Sequence, residues 1–442
     1  MADNKKTCLL SEFLTSDAAV HFIGCGGVGT APLMRIFHQK GFRVSGSDLK
    51  ANKETEALQN LGLPVFIGEH DAQHLPDAKK LLLVHTSAAD DANPEIREAK
   101  NRNAVILRRG KALAELTHLY DKVISVSGSH GKTSVTAMLA YVMLKLGTNP
   151  GYLIGGAVPG MIAGDAGNGN YFITEADESD GSHTWLDSHI GIVTNVEDDH
   201  VWSLGGWNVL QENFRTFARR SDTLLYYANT CTDELFGTHK TPIRITQQEF
   251  TPETIFSEQV NRTKGAFQLQ NQYTVLRTLE HLGFSRENIL TALEHFPGVD
   301  RRMSVRLDTP ELRIVEDYAH HPTEVRESLK ALRKTNPGKR LVAVFQPHRY
   351  ARLERYFDEF VKELSAADQL FIQPVFAAWT GKGKYTSDDL AAAAKGIALH
   401  GTMEEMAQHV QNHLKHGDLL CVLGAGDGKD LISYFLQKKF DN

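Results

Sequence analysis

The 442-residue sequence predicts an α/β protein of three domains, each built on a mainly parallel sheet flanked by helices. Three observations carry that expectation. Apolar runs of strand length alternate with helical patterns, the βαβ rhythm of parallel sheets. The chain is long enough for about three domains of ~150 residues each. Two glycine-rich turns, Gly24–Gly29 and Gly128–Gly131, each separate an apolar run from a helical pattern.

In the first segment, 1–119, Ala18 to Ile23, Arg43 to Ser45 and Lys80 to His85 read as strands, and Ala31 to Gln39 and Glu54 to Leu61 as helices. A second segment, 120–296, opens with the apolar run Val123 to Val126 and the helical pattern Val135 to Leu146. Strands follow at Tyr171 to Thr174 and Ile190 to Thr194. Thr230 to Gly265 is polar and weakly periodic, and reads as an irregular excursion or edge hairpin. Helical patterns return at Gln272 to Leu282 and Glu287 to His295. Phe296-Pro297-Gly298 reads as a linker into a third segment, 297–442. Its strands are Arg313 to Val315, Leu341 to Phe345, Gln369 to Ile372 and Leu419 to Leu423. Pro322 to Arg333 and Tyr356 to Leu364 are among its helices.

The bulk numbers narrow the function. Composition is 41% apolar and 23% charged, ordinary for globular protein. Net charge is −6 with no long basic run, which excludes nucleic acid as an expected partner. The four cysteines lie too far apart for a metal knuckle or a dense disulfide framework and fit a reducing cytosol. The start of the chain lacks a signal-peptide apolar core. No apolar run approaches the roughly 20 residues of a membrane span.

Gly128-Ser129-His130-Gly131-Lys132-Thr133-Ser134 is the most informative stretch. Its glycines let backbone N–H groups approach phosphate oxygens. Lys132 can reach β/γ-phosphates, Thr133 can hold Mg²⁺, and the following helix adds its positive end. Val126 stands where strict Walker A spacing requires glycine. Gly24-Cys25-Gly26-Gly27-Val28-Gly29 matches GxGxxG, with Asp48 about 20 residues on to meet a ribose hydroxyl. Pattern alone favours NAD there, hence a NAD-dependent oxidoreductase as the alternative function. A nucleotide-sugar diphosphate can rest on the same turn. The acidic run Glu175-Ala176-Asp177-Glu178-Ser179-Asp180 ends a strand and suits a divalent ion. Thr194 to His200 ends the next strand in the same way. Asp317-Tyr318-Ala319-His320-His321-Pro322 follows a further strand. Gln346-Pro347-His348-Arg349-Tyr350, with Arg352, offers guanidinium groups for a carboxylate or phosphate.

Taken in order, these blocks resemble the Mur ligase family from His21 to about Lys429, and its alanine-adding branch in particular. The most specific blocks are Gly131-Lys132-Thr133, Glu175 to Asp180, Asp317 to Pro322 and Phe345 to Tyr350. The resemblance implies a Rossmann-like UDP-sugar domain (1–119), a P-loop-type ATPase domain (120–296) and a Rossmann-like amino-acid domain (297–442). It implies ATP and Mg²⁺ as cofactors, with small-molecule substrates and a cytoplasmic setting. The expected reaction joins L-alanine, or in a divergent member another amino acid or peptide, to the carboxylate of UDP-N-acetylmuramate through an acyl phosphate. Residues Gly128 to Ser134 would cradle ATP, with Asn271 at adenine and Asp317 at the ribose. Thr133, Glu175 and His200 would hold the metal. Gly26, Gly27 and Asp48 would serve the UDP moiety. Tyr318, His320, His348, Arg349 and Arg352 would surround the amino acid. Lys132, His200 and Arg349 are the expected catalytic residues. The family usually has asparagine where this chain has Gln268.

Overall fold

The structure is a computed structural model that describes residues 9–199, 201–378 and 381–437. Three sheets account for its strands. In the first, β1 (Ala18–Ile23), α1 (Thr30–Gln39), β2 (Val44–Asp48), α2 (Lys53–Asn60) and β3 (Val65–Ile67) are followed by β4 (Lys80–His85), α3 (Pro94–Asn101), β5 (Val105–Arg108) and α4 (Arg109–Thr117). The order is β3-β2-β1-β4-β5 and every pair is parallel. Strand order therefore reverses between β1 and β4, where such sheets leave a crevice for ligands. All six residues of β1 are buried, as a central parallel strand covered on both faces requires.

The second sheet contains β6 (Lys122–Ser127), α5 (Lys132–Lys145), β7 (Gly151–Leu153), β8 (Gly164–Asp165), β9 (Tyr171–Glu175) and β10 (Ser188–Val193). It continues through α6 (Val201–Leu204), α7 (Trp207–Arg219), β11 (Ser221–Tyr227), α8 (Thr230–Phe236) and β12 (Pro242–Ile245). Its order is β12-β11-β10-β6-β9-β7-β8, with only β7–β8 antiparallel. The edge-hairpin reading of Thr230 to Gly265 is thereby corrected. β12 pairs parallel to β11, so the chain crosses over through α8 instead of turning back. Asn229 caps α8 by accepting from Thr232 N–H at 3.0 Å. Beyond β12 come α9 (Pro252–Ile255), α10 (Glu258–Thr263), α11 (Ala266–His281) and α12 (Arg286–Glu294).

The third sheet runs β13 (Ser304–Asp308), β14 (Leu312–Asp317), α13 (Pro322–Thr335), β15 (Leu341–Phe345), α14 (Tyr350–Arg355), α15 (Phe357–Leu364) and β16 (Gln369–Ile372). α16 (Ser387–Ala393), β17 (Ile397–Ala398), α17 (Met403–Gln411), β18 (Asp418–Leu423) and α18 (Leu431–Gln437) complete it. The order is β13-β14-β18-β15-β16-β17, antiparallel only at β13. The single helix expected over Tyr356 to Leu364 begins one residue later. A separate short helix, α14, precedes it.

By contacts the chain forms two compact units. One contains the first two sheets, up to Phe250, and resumes at Asn271–Pro297. The other contains Thr251–Gln270 and the third sheet from Gly298 onward. The first two sheets share a core: Tyr120 packs on Phe172 with ring centres 4.7 Å apart, and Leu153, Ala166 and Phe172 join residues of the first sheet. Gln39 reinforces the join by accepting from Ala166 N–H at 2.7 Å.

Candidate active site

The second glycine turn lies between β6 and α5, and backbone shape dictates its glycines. Gly128 and Gly131 have φ of 127° and 89°, left-handed values that favour glycine. Space is also short at both. A Cβ on Gly128 would strike Thr194 Oγ1 and come within 2.9 Å of Asn195 O; one on Gly131 would lie 2.9 Å from Asn271 Oδ1. The end of β10 clamps the loop. Asn195 Oδ1 accepts from His130 N–H at 2.9 Å, and Thr194 Oγ donates to His130 O at 2.6 Å. Ser129 N–H donates to Asn195 O at 3.2 Å, and Ser129 Oγ accepts from Glu197 N–H at 2.9 Å.

Lys132, Thr133 and Ser134 form the first turn of α5, which begins without a side-chain cap. Its leading N–H groups therefore point where an anion is stabilised. Lys132 Nζ donates to Gly128 O at 2.7 Å and to Glu178 Oε1 at 2.9 Å, and lies 2.8 Å from Glu178 Oε2. Burial works against its charge, but Glu178, Asp177 and Glu175 outweigh that and raise its pKa. Burial pushes Glu178 up to about 7 against the pull of Lys132. Thr133 Oγ donates to Glu175 Oε2 at 3.0 Å, while Glu175 Oε1 accepts from Gly155 N–H at 2.6 Å. Burial raises the Glu175 pKa too. A hydroxyl and a buried carboxylate side by side are hard oxygen donors that fit a small divalent cation. His200, expected beside them, lies outside the described residues.

The first glycine turn sits at the end of β1. Gly24 N–H and Cys25 N–H both donate to Ser47 O, at 2.8 and 3.0 Å, and Gly26 N–H donates to Asp48 Oδ2 at 2.9 Å. Asp48 Oδ1 accepts from Lys50 N–H at 3.2 Å. The carboxylate read as a ribose partner thus braces the turn in this structure. Gly26 is held close as well: a Cβ there would meet Asn52 Nδ2 at 2.7 Å. Gly27 O receives Thr30 N–H at 2.9 Å, which starts α1.

A cavity of about 360 Å³ joins the two turns. Gly29, Thr30, Thr86, Ser87, Arg108 and Arg109 line it from the first sheet, at the crevice between β1 and β4. Lys132, Gly155, Glu175, Asp177, Asp180, Ser182 and Trp185 line it from the second. Arg109, Glu178 and Asn195 were not assigned roles from sequence. Glu178 and Asn195 stood in blocks already singled out. Arg109 follows β5, whose apolar stretch Val105 to Leu107 is too short to tell strand from helix.

In the second unit, the carboxyl ends of β14, β18 and β15 meet. Asp317, at the end of β14, is buried. Its Oδ2 accepts from Met303 N–H at 2.7 Å, and its Oδ1 from Ala319 N–H at 2.9 Å and Ser328 Oγ at 3.1 Å. Burial raises its pKa. The rings of Tyr318 and His320 stand 5.4 Å apart, those of His320 and His348 5.7 Å apart, and Phe376 stacks on His348 at 5.6 Å. Buried Arg352 reaches His348 Nδ1 at 3.4 Å. Arg349, with φ of 66°, caps α14 and donates its N–H to Phe376 O at 2.8 Å. Four of the five residues expected around an amino acid, Tyr318, His320, His348 and Arg352, thus form one chain of contacts; Arg349 adjoins it through Phe376. Gln268 Oε1 accepts from Gly265 N–H at 2.9 Å, which caps the start of α11.

A triphosphate-type loop, an adjoining acidic oxygen pair and a second glycine turn on parallel α/β sheets define a nucleotide-using enzyme. Comparison with known proteins is more specific. The family description "Mur ligase family, catalytic domain" matches residues 19–121, "Mur ligase middle domain" 126–223 and "Mur ligase, glutamate ligase domain" 301–426. The UDP-N-acetylmuramate--L-alanine ligase of Gloeobacter violaceus is 31% identical over 97% of this chain and 97% of its own. That of a Psychrobacter species is 34% identical over 92% and 93%. Among solved structures, the UDP-N-acetylmuramate-alanine ligase of Thermotoga maritima superposes with a TM-score of 0.76 at 23% identity, covering 95% of this chain and 100% of its own. The murein peptide ligase of Psychrobacter arcticus gives 0.65 at 20% identity, over 95% and 98%. The chain belongs to the Mur ligase family, and it is an ATP-dependent ligase. The nicotinamide reading of the first turn is set aside.

Proposed function

We propose that this ligase joins L-alanine to the carboxylate of UDP-N-acetylmuramate, with ATP cleaved to ADP and phosphate, in cytoplasmic synthesis of a peptidoglycan precursor. The cavity shared by the first glycine turn, Arg109, Lys132 and Glu175 is the observation that carries this reading. It would give a nucleotide sugar and a triphosphate a common meeting place. Residues 1–119 would bind the UDP sugar, with Gly26, Gly27 and Asp48 at or behind its diphosphate. Residues 120–296 would bind ATP and 297–442 the amino acid.

A free carboxylate is a poor electrophile. Transfer of the γ-phosphoryl group to it makes an acyl phosphate, and attack by a neutral amine then expels phosphate and leaves an amide. The chain's own work is positioning and charge neutralisation. Lys132 would exchange its Glu178 partner for a phosphate oxygen. The N–H groups of the loop and of α5 would hold the remaining oxygens, and Asn271 would lie near adenine. Thr133 and Glu175 would hold Mg²⁺, which neutralises phosphate charge. Tyr318, His320, His348, Arg349 and Arg352 would form the amino-acid side, with a guanidinium on its carboxylate. Free cysteines at Cys25, Cys231 and Cys421 suit a reducing compartment.

The test is incubation with ATP, Mg²⁺, UDP-N-acetylmuramate and a panel of amino acids, read by mass. A conjugate heavier by one alanyl residue is expected. A conjugate formed only with another amino acid, or none at all, would refute the assignment.

A further inference from the structure

A buried carboxylate that the ligation chemistry does not use lies behind the first glycine turn. Glu95, in the first turn of α3, is fully buried. Its Oε2 accepts from Ser47 Oγ at 2.7 Å and lies 3.3 Å from His21 Nε2. Its Oε1 lies 2.7 Å from His74 Nδ1 and 3.3 Å from His70 Nδ1. His21 also bridges to Ser45 Oγ at 2.8 Å, tying β1 to β2. Burial alone would push the Glu95 carboxyl up, but hydrogen bonds from His21, Ser47 and His74 hold it at about 2. It is therefore an anion at neutral pH, kept so by donors from three elements.

Ser47 connects this anion to the turn. Its hydroxyl is fixed on Glu95, and its carbonyl receives Gly24 N–H and Cys25 N–H. The next residue, Asp48, receives Gly26 N–H. Three successive amides of the turn thus register on one dipeptide, which Glu95 anchors from behind. The turn has little slack: a Cβ on Gly24 would lie 2.6 Å from Thr86 Cγ2. A shift of a few tenths of an ångström at the end of β2 would pass directly into the turn. An apolar residue at position 95 could fill the core, but it could not grip the Ser47 hydroxyl.

We propose that Glu95 is a positioning residue for the nucleotide-sugar site, acting through Ser47 on the Gly24–Gly26 turn. This rests on the assignment of that turn to the UDP moiety. Two variants test it, Glu95→Gln and the milder Ser47→Ala, which keeps the proposal testable should the first not fold. Each is followed by steady-state kinetics and by amide hydrogen exchange of the peptide spanning the turn. Both should raise KM for UDP-N-acetylmuramate about tenfold, a loss equivalent to one good hydrogen bond. KM for ATP and kcat should stay within about twofold, as expected when only binding is lost, and exchange should quicken at the turn alone. An unchanged KM in both folded variants, or equal losses on the ATP and UDP-sugar sides, would overturn the proposal. Should the unaltered protein make no conjugate, the functional reading fails instead. The exchange rate of the turn then decides the positioning role by itself.

Discussion

At the scale of single residues, the Lys132–Glu178 pair decides most. Lys132 is the ammonium that a triphosphate would meet, and replacing it should abolish ATP-dependent ligation while the fold survives. Lys132→Ala with retained turnover would remove it from the mechanism. Glu178 supplies a pH dependence whose sign can be worked out. Burial raises its pKa from 4.5 to about 7, so between those values the folded protein holds a proton that the unfolded chain has released. Stability then falls as pH rises through that window and levels off above it. Burial lowers His183 to about 4, which acts in the opposite sense, so the Glu178 contribution is read as a difference between two proteins. From pH 5 to pH 7.5 the denaturant midpoint of the nucleotide-free protein should fall relative to that of Glu178→Gln. An equal slope in the two proteins would mean that other groups carry it.

At the scale of elements, the turns on either side of α5 allow a controlled comparison. Gly128 and Gly147 both have positive φ, but the space around Gly147 is open, whereas Gly128 is hemmed in by Thr194 and Asn195. Gly147→Ala should cost only the backbone strain of about 1–2 kcal/mol. Gly128→Ala should cost more than that and weaken ATP binding too, because the clash pushes the loop off the end of β10. Equal melting shifts and equal KM values for ATP would contradict the argument. The same contrast between centre and edge explains what the sequence reveals. Strands β1, β4, β15 and β16 read out with their observed bounds because central parallel strands are continuous apolar runs. Edge strands β12 and β13 are partly exposed and polar residues interrupt any apolar run in them, while β3 and β5, at three and four residues, are too short for their apolar stretches to tell strand from helix; all four went unread. The loss of β5 hid Arg109 from the site, and the loss of β12 produced the hairpin error. Glycine turns and strand-end acids were legible because their chemistry is local. Partnerships such as Ser47 with Glu95, or Asn195 with His130, are not, since tertiary packing alone brings them together.

At the scale of the whole molecule, charge and topology set the terms of binding. A chain of net charge −6 repels polyanionic substrates at long range, so attraction must be local. All three sheets present their chemical groups at the carboxyl ends of parallel strands, where helix N-termini supply that attraction. The two glycine turns belong to one compact unit and line one cavity, yet they are built by different sheets. Their ligands should therefore stabilise the protein separately. A non-hydrolysable ATP analogue with Mg²⁺, at about 100 times its Kd, should add about 2.7 kcal/mol. UDP-N-acetylmuramate should do the same on its own. Hydrogen exchange should slow at residues 128–134 and 194–197 with the first ligand, and at 24–30 with the second. Lys132→Ala should erase the first pattern and keep the second, since the hydrogen bonds of Lys132 run to Gly128, Ser129 and Glu178, all around the second sheet. Loss of both patterns in that variant would mean that the ammonium supports the cavity as a whole, and the division of labour between the two sheets would have to be abandoned.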